Sequence, residues 1–363
     1  MLPVVIVGGG TAGSVVAATL AGACDAPLVM VEPGPRTDDD APRFMDGLTD
    51  DVLWPGDECP QARALGGGSA VNGMILSGAE PPWLAGLTRQ ARADEAGSVG
   101  RALLGVGGRL SRLWWNNGRW NPARAALHLE EEGRLRIIHG TAHQLVTGAR
   151  AVSAVVVDNE EIACSHVVVT CGALRTPALL RASGIRGAVG EGLANHPTVT
   201  FTVSRPDGDH GRFDATTVLD IDTDGAAGLM VGFERADAAD DGHGLVTVSL
   251  MNPRSRGVVH GSVDFALLDD PWDHAAMARL VEQTSVLVSR AGLEVRKVSG
   301  VHPVSHPAAS CAGAVDCNGR LHGFDNVTVA DASVLPGVPR ETPAASVTIV
   351  ARRTALALGE ALS

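Results

Sequence analysis

The chain has 363 residues, long enough for two lobes and a sizeable core. Apolar residues make up 45% and aromatics 3%, with no tyrosine, so the core must be built from Ala, Val and Leu. A formal charge of −12 argues against nucleic acid or an anionic membrane as partner, because both reward a basic face.

Residues 4–13 read Val-Val-Ile-Val-Gly-Gly-Gly-Thr-Ala-Gly, an apolar strand running into Gly8-x-Gly10-x-x-Gly13. A helix over 14–20 and a second apolar strand over 28–31, ending on Glu32, are predicted next. Gly8 permits the tight turn, Gly10 lets the backbone approach a pyrophosphate, and Gly13 allows close helix–strand packing. The free N–H groups and positive end of the helix hold phosphates, and Glu32 stands where a carboxylate accepts hydrogen bonds from an adenosine ribose. A plain tight turn is the alternative for a lone glycine run. Strand, fingerprint, helix, strand and acid in that order favour a dinucleotide site.

Residues 63–74 read Arg-Ala-Leu-Gly-Gly-Gly-Ser-Ala-Val-Asn-Gly-Met. The small residues Gly66 to Ser69 let a backbone lie flat against a planar ligand and offer N–H groups to it. A surface loop is the alternative, but the apolar Met74-Ile-Leu76 that follows speaks against it. A second glycine-rich contact so early points to a long, buried cofactor such as FAD rather than a nicotinamide dinucleotide.

Pro81–Pro82 reads as a loop. Trp114-Trp-Asn-Asn-Gly-Arg-Trp120 is read either as core filler in an aromatic-poor protein or as an exposed aromatic contact surface. Strands are predicted over 135–138, 151–158 and 166–170, with a helix over 176–183. Alternating apolar and polar residues over 199–203, 245–250 and 258–265 suit an antiparallel sheet with one wetted face. Ala236–His243 reads as a loop, 273–291 as a helix, and 344–362 as a closing helix. The predicted fold class is α/β. A Rossmann-like FAD-binding domain (1–77, 135–200 and 300–363) is interleaved with a reduced antiparallel-sheet substrate domain of α+β character (78–134 and 201–299).

No apolar run is long enough for a transmembrane helix, and the first residues lack a basic region and a cleavage site. With six scattered cysteines read as reduced, buried thiols, the expected compartment is the cytoplasm. No spacing of Cys, His or carboxylates suggests a metal site.

The 63–74 segment resembles the first signature of the glucose–methanol–choline family of FAD-dependent oxidoreductases. Val167–Ile185 is similar to the second signature, with Arg175-Thr176 replacing the more usual small residues before Pro177. Gly190–Pro197, Asn252–Val259, His306–Cys311 and Val329–Pro336 resemble further family segments, in the same order along the chain. Pro339–Ile349 and Ser69–Gly73 look like the mycofactocin-associated dehydrogenases within that family. Family members are usually longer, the missing length falling in the substrate lobe. A reduced lobe implies a wider or shallower pocket that suits a bulky small-molecule substrate, or a protein or second subunit that completes it.

The resemblance implies oxidation of an alcohol CH–OH by hydride transfer to flavin N5, with His306 as general base. An imidazole whose pKa lies near working pH suits that task. His302 is the nearest competitor, otherwise a surface strand residue. The second catalytic position, usually His or Asn, falls on Thr342. A hydroxyl there hydrogen-bonds but carries no charge; Glu341 beside it is a candidate to compensate. Val71 occupies the place where covalently flavinated members carry His, so FAD is expected to be non-covalent. Asp331 resembles the acid near the ribityl chain and pyrimidine edge, and is equally read as a helix N-cap. Asn195-His196 is read as bracing its loop rather than reacting. The resemblance assigns further flavin contacts to Thr11, Ala12, Gly67, Gly68, Asn72, Gly73, Met74, Gln144, Gly172, Ala332 and Pro343. Two other functions stand beside this one: a flavoprotein of the same fold with non-alcohol chemistry (desaturation or lyase-type proton transfer), and a flavin-binding protein that has lost catalysis and acts through a partner.

Overall fold

A computed structural model describes residues 1–37, 50–56, 59–234 and 242–363. The predicted Ala236–His243 loop lies outside them except for its last two residues.

The apolar run Val4–Val7 is buried at every position, as a parallel strand covered on both faces must be. It forms the centre of a five-stranded parallel sheet in the order Val327–Val329, His166–Val169, Val4–Val7, Leu28–Glu32, Leu135–His139. One face is covered by the helices Thr11–Ala23, Ala123–Glu131 and Ala344–Leu362, whose Val16, Leu20, Ala126 and Ala355 share a core with Val4 and Ile6. Small residues permit the close approach of the first and last helices: a Cβ on Gly359 would sit 2.6 Å from the Ala23 Cβ. The other face carries the three-stranded sheet Ala142–Thr147, Val152–Val157, Glu160–Ala163 and the helix Gly172–Ala182.

The second sheet has six antiparallel strands, in the order Val295–Val298, Thr198–Ser204, His243–Leu250, Ala226–Phe233, Ala215–Thr223, Arg109–Leu110. One row of its side chains (Val199, Phe201, Val246, Val248) packs on the helices Pro271–Arg290 and Ser98–Leu104. The opposite row, including Thr247 and Ser249, lines a cavity between the two sheets. The face expected to be wetted therefore looks into a site rather than into bulk solvent.

Several boundaries need correction. Residues 123–134, expected in the substrate lobe, belong instead with the nucleotide side, where Ala123, Ala126 and Leu129 join its core. The lobe boundary at 200 falls inside the strand Thr198–Ser204. Residues 258–265 form two short strands, Gly257–Val259 and Val263–Asp264, that turn at Gly261 (φ +93°) and pair with each other, the first of them also pairing with Glu191–Leu193, in a separate sheet. Cys317 is exposed rather than buried. Trp114 and Trp115 are core: Trp114 stacks on Trp120 at 4.7 Å between centroids. Among the described residues no helix is long and apolar enough to cross a membrane.

Candidate active site

The cavity measures about 1000 Å³ and runs from Glu32 to His306, along the carboxyl ends of the parallel strands where Val7, Val31 and Thr170 stand. That position is where open α/β sheets bind ligands, and the volume is at the upper end for small-molecule sites.

At the nucleotide end, buried Glu32 accepts from Gly9 N–H (2.8 Å) and Gly34 N–H (2.8 Å), one on each carboxylate oxygen. Each oxygen keeps a lone pair for a ribose hydroxyl. Burial pushes its pKa up to about 7, against the pull of those two N–H groups and of Arg63. Gly8, at φ +100°, closes the turn; a Cβ there would lie 2.6 Å from the Thr170 carbonyl oxygen. A Cβ on Gly13 would lie 1.9 Å from the Gly8 oxygen, so Gly13 serves packing alone and does not reach the cavity. Gly10 differs, because its Cβ would meet no protein atom closer than 3.7 Å. The space beside it belongs to the cavity, next to the unpaired N–H groups of the first turn of Thr11–Ala23.

The second glycine segment is bound to the first. Thr11 Oγ1 donates to the Gly66 carbonyl (3.1 Å) and shares a hydrogen bond with Ser69 Oγ (2.7 Å). Asn72 turns the chain by accepting from Met74 N–H (3.1 Å) and from Arg119 Nη1 (3.0 Å). Thr11, Ala12, Gly67, Gly68, Val71, Asn72, Gly73 and Met74 all line the cavity. Buried Arg119, absent from the sequence reading, backs this loop; a glycine-flanked arginine between two tryptophans was its only signal. Asp331 accepts from Ser333 N–H, Gly172 N–H (both 2.8 Å) and Thr176 Oγ1 (2.5 Å). It thus caps a turn and pins the start of Gly172–Ala182, while Asp331, Gly172, Ala332 and Pro343 line the cavity. Burial raises its pKa despite the hydrogen bonds from Ser333, Thr176 and Gly172. Two open glycine approaches, a capped acid and helix N–H groups facing one elongated cavity fit a flavin dinucleotide.

At the far end stand His306 and, unexpectedly, His196: their Nδ1 atoms lie 3.1 Å apart and the rings meet edge to face. Burial pushes His306 down to about 4 and His196 down to about 3, with the neighbouring His306 adding to the second shift. Both are therefore neutral near pH 7, and burial holds His306 below the near-working-pH value expected of it from the sequence.

Four expectations need correction. Thr342 lines the cavity, but its hydroxyl donates to the Ile75 carbonyl (2.8 Å) and its N–H donates to Ser77 Oγ (2.8 Å). Its proton is already committed, so it pins the start of the last helix rather than offering a donor to substrate. Glu341 accepts from Ser346 Oγ (2.9 Å) and packs over Gly78, away from the cavity lining. Gln144 is exposed on Ala142–Thr147, and Thr141, Ala142 and His143 form the wall there instead. His302 is no surface residue: it lines the cavity, donates from Nδ1 to the Pro303 carbonyl (3.1 Å) and accepts at Nε2 from Thr200 Oγ1 (2.9 Å). Among the described residues no group of three or more His, Cys, Asp or Glu comes together as a metal site.

Comparison with known proteins bears on the same arrangement. Two family models, both described as GMC oxidoreductase, match residues 88–198 (the N-terminal model) and 243–351 (the C-terminal model), together more than half of the chain. An uncharacterized GMC-type oxidoreductase in the thcA 5'region of Rhodococcus erythropolis is 26% identical, over 74% of this chain and 64% of the relative. The uncharacterized GMC-type oxidoreductase y4nJ of Sinorhizobium fredii is 25% identical, over 52% and 48%. The chain thus spans 48% to 64% of the length of these curated relatives. Among solved structures, pyridoxine 4-oxidase from Mesorbium loti superposes with a TM-score of 0.82 at 20% identity, covering 98% of each chain. A variant of Aspergillus oryzae formate oxidase follows with a TM-score of 0.81 at 17% identity, covering 100% of this chain and 99% of that one. The cradle between the two sheets is accordingly an FAD site, and the chain belongs to the GMC oxidoreductase family.

Proposed function

We propose that the protein oxidises the CH–OH group of an alcohol with a bulky apolar body, using non-covalent FAD and His306 as proton acceptor. The observation that carries the reading is the imidazole of His306 in the wall of the cavity, with both nitrogens of its competitor His302 already engaged. When bound, the flavin supplies the acceptor for a hydride leaving the carbinol carbon. His306 removes the hydroxyl proton, which drives electron density toward that carbon. Leu229, Val231, Phe233 and Met251 give an apolar wall for the substrate body and exclude water. Thr247 and Ser249 offer hydroxyls on the same wall. Val71 at the cradle has no group that bonds covalently to a flavin, which supports the non-covalent reading.

The test is anaerobic mixing of the FAD-loaded protein with a panel of primary and secondary alcohols, followed by flavin absorbance. Bleaching that saturates with one or more alcohols is expected. No bleaching by any alcohol, with stoichiometric FAD bound, would overturn the reading. It would favour proton abstraction from carbon.

A further inference from the structure

His196 and His306 come from segments 110 residues apart and meet through their Nδ1 atoms, 3.1 Å from one another. His196 is fully buried, on the short connection between the strands Glu191–Leu193 and Thr198–Ser204. The preceding Asn195 fixes that connection to the His306 segment: its Nδ2 donates to the Val304 carbonyl (2.8 Å) and its Oδ1 accepts from the His196 N–H (2.8 Å). The other nitrogen of His196, Nε2, lies 2.8 Å from the Pro339 carbonyl oxygen.

These contacts determine where the protons sit. A carbonyl oxygen only accepts, so His196 Nε2 carries a hydrogen. A neutral imidazole has one N–H, so His196 Nδ1 is then a bare acceptor. The nitrogen facing it must donate, which places the hydrogen of neutral His306 on Nδ1. Burial of both rings supports the neutral forms. We infer that His196, oriented by the Pro339 carbonyl, is a positioning residue that holds His306 in its Nδ1–H tautomer and leaves Nε2 as the nitrogen that takes the substrate proton. The same contact serves the next step: once Nε2 is protonated, His306 is a cation whose Nδ1–H already points at a lone pair. The role in proton uptake rests on the alcohol-oxidation reading; the tautomer itself does not.

The tautomer is read directly from the ring nitrogens of 15N-histidine-labelled, FAD-loaded protein by NMR, with His306→Gln and His196→Gln spectra giving the assignments. Expected are a protonated Nδ1 with a bare Nε2 for His306, and the reverse for His196. A His306 protonated on Nε2 would overturn the inference, whatever the protein's substrate. Kinetics supply the second arm. Holding a general base in the wrong tautomer costs on the order of 10²–10⁴ in rate. His196→Leu, which can neither donate to Pro339 nor accept from His306, should lower the limiting rate of flavin reduction by about 10² or more with substrate affinity unchanged. His196→Gln can donate its amide to Pro339 and accept with its oxygen, and should stay within about tenfold of the parent. Equal losses in the two variants would mark His196 as mere packing and contradict the inference. A protein that no alcohol bleaches would remove the alcohol reading while the nitrogen spectra still decide the tautomer.

Discussion

A histidine that must take a proton has to reach the reaction neutral, and burial secures this for His306 by lowering its pKa to about 4. The sign is fixed: a lowered pKa means that the base-competent form persists to lower pH. The limiting rate of flavin reduction should therefore be flat above about pH 6 and fall only as pH approaches 4. A midpoint at the ordinary histidine value of about 6.5 or higher would contradict it. Thr342 gives a contrasting expectation. Its hydroxyl serves the Ile75 carbonyl, so Thr342→Val should cost about 1 kcal/mol in chemical denaturation and less than about tenfold in flavin reduction. A loss comparable to that of His306→Ala would return Thr342 to the substrate. The sequence alone pointed to Thr342 because its position next to Pro343 fits the family pattern. The long-range hydrogen bond to Ile75 depends on a strand more than 260 residues earlier and leaves no trace in the pattern.

At the scale of elements, the two glycine segments are separable by substitution. Gly10→Ala leaves the protein contacts intact, since its Cβ would meet nothing closer than 3.7 Å, but it fills the approach to the pyrophosphate. The variant should fold normally and bind FAD about tenfold or more weakly. Gly13→Ala drives a Cβ to 1.9 Å from the Gly8 oxygen and should fail to fold as the parent does. Circular dichroism and flavin titration distinguish the two; full FAD retention by Gly10→Ala would mean that the ligand lies elsewhere. Such elements were legible because their chemistry is local. Strand, glycine turn, helix and Glu32 follow one another within 29 residues and carry their geometry with them. The hairpin Ala215–Thr223 and Ala226–Phe233 carries an equally local signal, Asp224-Gly225 with positive φ at both positions.

Across the whole molecule, the site exists only where the parallel sheet and the antiparallel sheet face one another. Thr247 and Ser249 looked like solvent-side residues because alternation reveals that a strand has two faces, not what lies opposite either. His196 escaped for the same reason: its partner lies 110 residues away, and the His-Pro dipeptides at 196–197, 302–303 and 306–307 do not say which two rings meet. The apolar Val71 in the cradle leads to a further expectation at this scale. Acid precipitation should release the flavin entirely into the supernatant as FAD, and colour retained by the pellet would show a covalent bond.

The central claim is that proton removal by His306 governs oxidation at the cavity. The most direct measurement compares the limiting rate of anaerobic flavin reduction in the parent and in His306→Gln, each shown to carry stoichiometric FAD, on the same alcohol. Removing a positioned general base typically costs ~10²–10⁴ in rate, and a loss in that range is the predicted result. Reduction of His306→Gln at the parent rate would contradict the account.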